Sequence, residues 1–196
     1  MMERTAVVTR NTKETEIQIS LNLDGSGKAD IQTGIGFFDH MLNSFARHGF
    51  FDLTVKVKGD LEVDTHHTIE DTGIVLGQAI KQAVGDKKGI VRYGSQILPM
   101  DESLVLCAMD LCGRPYLVYD LDLDREKVGD LETEMVREFF YAVSYAAEMN
   151  LHIRQMAGMN NHHIIEAAFK AFAKALDSAV AAEPRLTGVL STKGSL

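Results

Sequence analysis

The pentad His-His-x-x-Glu occurs twice in this chain, as His66-His67-Thr68-Ile69-Glu70 and as His162-His163-Ile164-Ile165-Glu166, 96 positions apart in 196 residues. A spacing close to half the length constrains the fold strongly, because it asks for two units on one plan. Two copies are too few for a solenoid, which needs at least three, so the halves are expected to close on each other about a pseudo-twofold axis. The likeness runs past the histidines. An offset of 98 sets His40 on Glu138, Leu42 on Phe140 and Leu53 on Leu151.

Local patterning fills in each half. Ala6–Arg10 and Thr15–Leu23 alternate as strands, and the turn signal Asp24-Gly25-Ser26-Gly27 suggests a hairpin to a short strand at Ala29–Thr33. Phe38, Met41, Leu42 and Phe45 form one stripe of a helix over Phe37–His48, with Gly49 as its stop. A strand at Phe51–Val57 and a helix from about Thr68 to Val84 follow. The second half repeats the order. Strands are expected near Tyr93–Pro99, Ser103–Leu111 and Tyr116–Leu123, the last two joined by a Gly113-Arg114-Pro115 turn. A helix at Thr133–Glu148, a strand at Leu151–Gln155 and a helix at His162–Ala182 complete it, with Pro184 as the stop. The predicted class is α+β, with helices packed between two mainly antiparallel sheets. The expected organisation is one domain over 1–196, made of repeats at about 1–90 and 91–183 plus a C-terminal tail.

Composition narrows the function classes. A net charge of −8 and a pI near 5.3 argue against a general nucleic-acid or anionic-membrane surface. Cys107 and Cys112 are too few for a disulfide framework, which suits a reducing cytosol. No run approaches the ~20 apolar residues of a membrane span, and the expectation is a soluble cytoplasmic protein.

The histidine clusters carry the chemistry. Imidazole and carboxylate suit divalent transition metals. Residues i and i+4 share a helix face, so His66 with Glu70, and His162 with Glu166, can close on one ion, while His67 and His163 point elsewhere toward a second. His40 is the best further donor of the first half and Glu138 its repeat partner. Arg92, Arg114 and the tail Ser191-Thr192-Lys193 place guanidinium, ammonium and hydroxyl groups in polar turns, as phosphate recognition requires, although each taken singly reads as a surface residue. The tail lacks Walker order, and Gly34-Ile35-Gly36 lacks a third glycine, so nucleotide binding has no support. By spacing alone, Glu14 and Glu16 are ordinary surface carboxylates.

Seven segments together, Asn11–Thr15, Thr33–Leu42, Asp64–Asp71, Leu98–Glu102, Gly113–Tyr116, Asn161–Ala167 and Ser191–Gly194, closely resemble the imidazoleglycerol-phosphate dehydratases of histidine biosynthesis, nearly end to end and in their single-function form. The resemblance implies two Mn²⁺ ions per active site, replaceable by Zn²⁺ or another divalent ion. Their ligands would be His40, His66, His67, Glu70, Glu138, His162, His163 and Glu166, with His in other members where this chain has Glu138. It implies Arg92, Arg114, Ser191 and Lys193 at the substrate phosphate, and Glu14 as an acid/base group. His67, His163 and Lys170 would also serve catalysis. It further implies a homo-oligomer of 24 subunits built from trimers, with sites between subunits, acting on a phosphorylated imidazole and on neither nucleic acid nor membrane.

The family reaction converts imidazole glycerol phosphate to imidazole acetol phosphate. The proton to be lost sits on a carbon with no neighbouring carbonyl, so the imidazole ring is the electron sink. Metals on its nitrogens would favour an imidazolate, and loss of hydroxide would pass through a diazafulvene-like intermediate. Two other classes compete: a two-metal phosphoesterase or amidohydrolase, marked by release of phosphate, and a non-enzymatic metal store or shell protein whose histidines only link subunits.

Overall fold

A computed structural model describes residues 4–196. The first half runs β1 (Thr5–Asn11), β2 (Thr15–Asn22), β3 (Ala29–Gln32), α1 (Gly36–Gly49), β4 (Asp52–Gly59) and α2 (His66–Val84). The second half runs β5 (Tyr93–Met100), β6 (Ser103–Asp110), β7 (Tyr116–Asp120), a small β8 (Lys127–Val128) and β9 (Leu131–Glu132) hairpin, α3 (Glu134–Ala146), β10 (Asn150–Ala157) and α4 (Asn161–Val180). The sheets are ordered β1-β2-β4-β3 and β5-β6-β10-β7, one topology used twice. Four helices lie between them: α2 on β1 and β2, α4 on β5 and β6, with α1 against α4 and α3 against α2. The α+β class and the two similar halves are as the sequence predicts.

Two expected hairpins are absent. β3 pairs in parallel with β4, and β7 in parallel with β10, so β2 does not turn back into β3, nor β6 into β7. β4 offers β2 eight antiparallel pairs, from Thr15↔Gly59 to Asn22↔Asp52, where β3 is only four residues long. The Asp24–Gly27 turn instead wraps around Asp52, whose Oδ1 accepts the backbone N–H groups of Ser26 and Lys28 at 2.8 and 3.0 Å. β3 then reaches its parallel partner through α1, because a parallel pair needs a crossover.

Strict alternation buries one face of each sheet. Ile17, Ile19 and Leu21 of β2 and Val105, Cys107 and Met109 of β6 point inward onto the helices. Between the sheets the helices carry an aromatic core, with Phe139 stacked on Phe169 at 5.1 Å and Phe45 on Phe172 at 5.4 Å. Gly73 and Gly77 let α2 approach α3 closely: a Cβ on Gly77 would lie 2.7 Å from both Ala146 Cβ and the Val143 carbonyl oxygen. Gly49 acts by packing, not as a left-handed stop. Its missing Cβ makes room for the Phe51 ring, and Phe50 takes the positive φ of 58°.

The halves differ most between strand and helix. Residues 33–35 connect β3 to α1, whereas 121–133 connect β7 to α3 and include β8 and β9. This longer loop ties helix starts together. Asp130 accepts the N–H groups of Gly36 and Phe37 at the head of α1, at 2.6 and 3.0 Å. Glu132 accepts the Thr65 hydroxyl ahead of α2. At the head of α4, the Asn161 side chain donates to Asp124 at 2.8 Å and accepts the Arg125 N–H at 2.9 Å. The starts of all four helices therefore gather on one loop.

Candidate active site

Both pentads sit in first helical turns. Asn160 caps α4, its Oδ1 accepting the His162 and His163 N–H groups, and Asp64 accepts the His66 N–H at 2.8 Å. α2 starts at His66, two residues earlier than the sequence suggests, so His66 and Glu70 both lie on the helix. The adjacent rings diverge alike in both copies. Centroids are 6.1 Å apart for His66–His67 and 6.0 Å for His162–His163, each pair inclined at 80°.

On one face α4 meets α1. Glu166 Oε2 lies 3.1 Å from His162 Nε2 and 3.5 Å from His40 Nε2. Among the described residues this is the one trio of His and carboxylate donors whose ligating atoms all lie within 4.8 Å of one another. Donors about 2.1 Å from a cation, at right angles, sit about 3 Å apart, so the trio fits one face of an ion's coordination shell. Lys170 Nζ holds the other oxygen of Glu166 at 2.6 Å. Burial alone would raise the Glu166 pKa, but Lys170, with His162 and His40 beside it, draws it below the ordinary value. A cleft of about 380 Å³ opens here, lined by His40, Ser44, His48, Glu166 and Lys170 among others. His48, which the sequence offers only as a helix-end residue, thus joins the site. Burial and then the Lys170 charge lower its pKa.

The corresponding face of α2 is more open. His66 Nε2 and Glu70 Oε2 are 3.8 Å apart, and Glu138 turns to Arg137 at 2.8 Å instead of completing a trio with them in the same chain.

His67 and His163 each meet two carboxylates, of which the sequence reading gives a role only to Glu14. His67 Nδ1 is 3.0 Å from Asp60 Oδ2, and its Nε2 is 3.8 Å from Glu14 Oε1. His163 Nδ1 is 2.7 Å from Glu102 Oε2, and its Nε2 is 3.5 Å from Asp101 Oδ2. Asp60 raises the His67 pKa and Glu102 that of His163, while Glu102 itself falls far below the usual carboxylate range through the His163 and Asn160 hydrogen bonds. Glu14 and Glu16 separate here. Glu14 faces His67, whereas Glu16 reaches Lys58 at 3.8 Å on the outer sheet face.

The basic residues converge elsewhere. Arg92, Arg114, Ser191 and Lys193 line one cleft of about 670 Å³. Arg92 is nearly buried, forked onto Asp110 at 2.7 and 3.0 Å, and donates to the Leu190 carbonyl at 2.5 Å, which pins the tail over the cleft. Among the described residues neither Arg114 nor Lys193 has a carboxylate within ion-pair distance, so both charges are available to an anion. The Arg92 N–H bonds the Ala179 carbonyl, near the C-terminal end of α4. At 1.5 Å per residue, that point is roughly 25 Å from His162. In one chain the His–carboxylate donors and the basic cleft stand at opposite ends of one helix.

A family model described as imidazoleglycerol-phosphate dehydratase matches residues 33–176. Curated imidazoleglycerol-phosphate dehydratases of Lachnoclostridium phytofermentans and Acetivibrio thermocellus are 69% and 63% identical to the chain, each over 100% of both chains. A solved imidazoleglycerol-phosphate dehydratase of Staphylococcus aureus is 42% identical with a TM-score of 0.82, covering 91% of this chain and 99% of its own. That of Pyrococcus furiosus is 35% identical with a TM-score of 0.84, covering 96% and 100%.

Proposed function

Because the chain belongs to the imidazoleglycerol-phosphate dehydratase family, hydro-lyases of histidine biosynthesis, we propose that it works with two Mn²⁺ ions per site on D-erythro-imidazole glycerol phosphate. The observation that carries this reading is the His40–His162–Glu166 trio, a donor set of the right types and spacing for one divalent ion. The second ion would draw on His66, Glu70 and Glu138, with His67 and His163 shared out between the two.

Arg114 and Lys193 hold the phosphate by charge, Ser191 adds a hydroxyl, and Arg92 anchors the tail that carries Ser191 and Lys193. This clamp fixes the substrate far from the reacting carbons. Once bound, the ions would supply Lewis acidity, and the substrate's imidazole ring is where the electrons of the breaking C–H bond need a sink. Glu14, exposed and next to His67, takes the carbon-bound proton or returns one to the departing hydroxyl. Lys170 offsets the Glu166 charge at 2.6 Å. The enol left after loss of water tautomerises to the ketone, with the phosphate ester intact.

A substrate only a few bonds long cannot bridge roughly 25 Å. The working site is therefore composite, with cleft and histidines from different subunits of a homo-oligomer, taken as 24 chains built from trimers in the cytoplasm. The test is product formation from imidazole glycerol phosphate by metal-stripped protein, before and after addition of Mn²⁺. Keto product only with Mn²⁺ is expected. Full activity after stripping would remove the metals from the reading, and release of inorganic phosphate would replace dehydration by hydrolysis.

A further inference from the structure

The two hairpins at the outer edges of the sheets are in identical register: β1 pairs with β2 and β5 with β6 residue for residue at an offset of 88. That register makes Glu14 and Glu102 equivalent, each immediately before the inner strand of its hairpin. They are used differently. Glu102 Oε2 faces His163 Nδ1 at 2.7 Å, and Oε1 is occupied by the Asn160 and Met159 N–H groups at 2.9 and 3.3 Å and by the Ser103 hydroxyl at 3.1 Å. Gly158, at φ +119°, brings this loop so close to Ser103 that a Cβ would lie 2.3 Å from its hydroxyl. The carboxylate is thus fixed from one side and aimed at one ring nitrogen. In the first half, Asp60 at the end of β4 takes the Nδ1 of His67 with both oxygens, at 3.0 and 3.2 Å. Glu14 is left beside Nε2.

We propose that Glu102 and Asp60 are positioning residues: each accepts the Nδ1 proton of the second histidine of a pentad and fixes the tautomer whose Nε2 is free to bind metal. A ring nitrogen that carries a proton cannot ligate, and a carboxylate on the other nitrogen decides which one does. Since Asp60 holds His67 Nδ1, Glu14 is released for proton transfer beside Nε2; in the second half the carboxylate beside Nε2 is Asp101, at 3.5 Å from His163. The proposal rests on the metal reading above.

Glu102→Gln is the deciding variant. The two backbone N–H groups keep the amide oxygen at the Oε1 position, so the amide NH₂ faces His163 Nδ1 and drives the proton to Nε2. Asp60→Asn differs, because among the described residues its side chain has no second hydrogen-bond partner and can turn its oxygen to His67. Histidine-selective ¹⁵N spectra of the metal-free protein at pH 8.5 read the tautomers, and titration with Mn²⁺ reads affinity. Expected are an unprotonated Nε2 on His163 in the parent protein, a protonated one in E102Q, and Mn²⁺ affinity about 10–100-fold weaker. D60N should keep the parental His67 tautomer with a smaller loss. Should E102Q fold poorly, E102A, which removes the aim without reversing it, should give a mixture of tautomers. A protonated Nε2 in the parent, or parental tautomer and affinity in E102Q, overturns the proposal. A parent protein that binds no Mn²⁺ sinks the metal reading instead, and the tautomer spectra still decide the positioning role.

Discussion

The Arg92 N–H donates to the Ala179 carbonyl at 2.8 Å, which seats the anion cleft against the far end of the helix that begins with His162 and His163. A rigid helix thereby keeps the basic cleft and the histidine clusters apart within each chain.

Subunit mixing follows from that separation. R114A removes a cation from the basic cleft and H163A a ring from the histidine cluster, and on the proposed reading each alone should be inactive. Co-assembled one to one, a site that draws on two chains finds both parts intact in about a quarter of cases. Activity recovered on mixing is the expected result. A mixture as inactive as its components would mean that each chain builds its own site.

Glu166 is the charged member of the donor trio. E166Q keeps its shape and removes the negative charge from between His40, His162 and Lys170. The loss in Mn²⁺ affinity should be at least the 10–100-fold typical of losing an outer partner. Isothermal titration on stripped protein measures it, and circular dichroism should remain parental.

Asp130 caps a helix from a distant loop. D130A leaves the Gly36 and Phe37 N–H groups without their partner and should cost about 1–2 kcal/mol of stability at neutral pH. Burial would raise the Asp130 pKa, but the Phe37 and Gly36 hydrogen bonds outweigh it and leave the folded value depressed. A depressed carboxylate contributes its full stabilisation above the unfolded pKa near ~3.9 and loses it as pH falls through the folded value. The gap in melting temperature between parent and D130A should therefore be constant above about pH 5 and narrow below pH 4. A gap that widens with acid would contradict the assignment.

The α2–α3 contact tolerates no added volume. G77A forces a methyl group to 2.7 Å from Ala146 Cβ and backbone oxygen, so it should destabilise by about 1–3 kcal/mol although alanine is the better helix former. G85A provides the contrast: among the described residues its methyl group meets nothing within 4 Å, and its cost comes from the positive φ of 65°. Denaturant unfolding of the two variants separates crowding from backbone strain.

Much of this was legible one element at a time. The stripe at Phe38, Met41, Leu42 and Phe45 marks α1, and the i,i+4 spacing of His162 and Glu166 anticipates their 3.1 Å approach. The Asp24–Gly27 turn misleads because a turn signal reports local backbone preference, whereas the partner of β2 is chosen by the eight pairs that β4 provides. Asp60 and Glu102 are invisible for a related reason. A carboxylate beside a turn looks the same in sequence whether it faces solvent or a histidine on another element.

What the sequence alone determined is the duplicated plan, the inventory of donors, and which of them share a helical face, all of which follow from periodicities of a few residues. The tertiary structure decided the rest: that β4 and β10 come between the strands the turn signals would join, that His40 closes on Glu166, that Glu14 faces His67 while Glu16 does not, and that the basic cleft lies a helix length from the histidines. Those outcomes depend on competition among distant strands and on the rigid length of α4, and no local pattern encodes either.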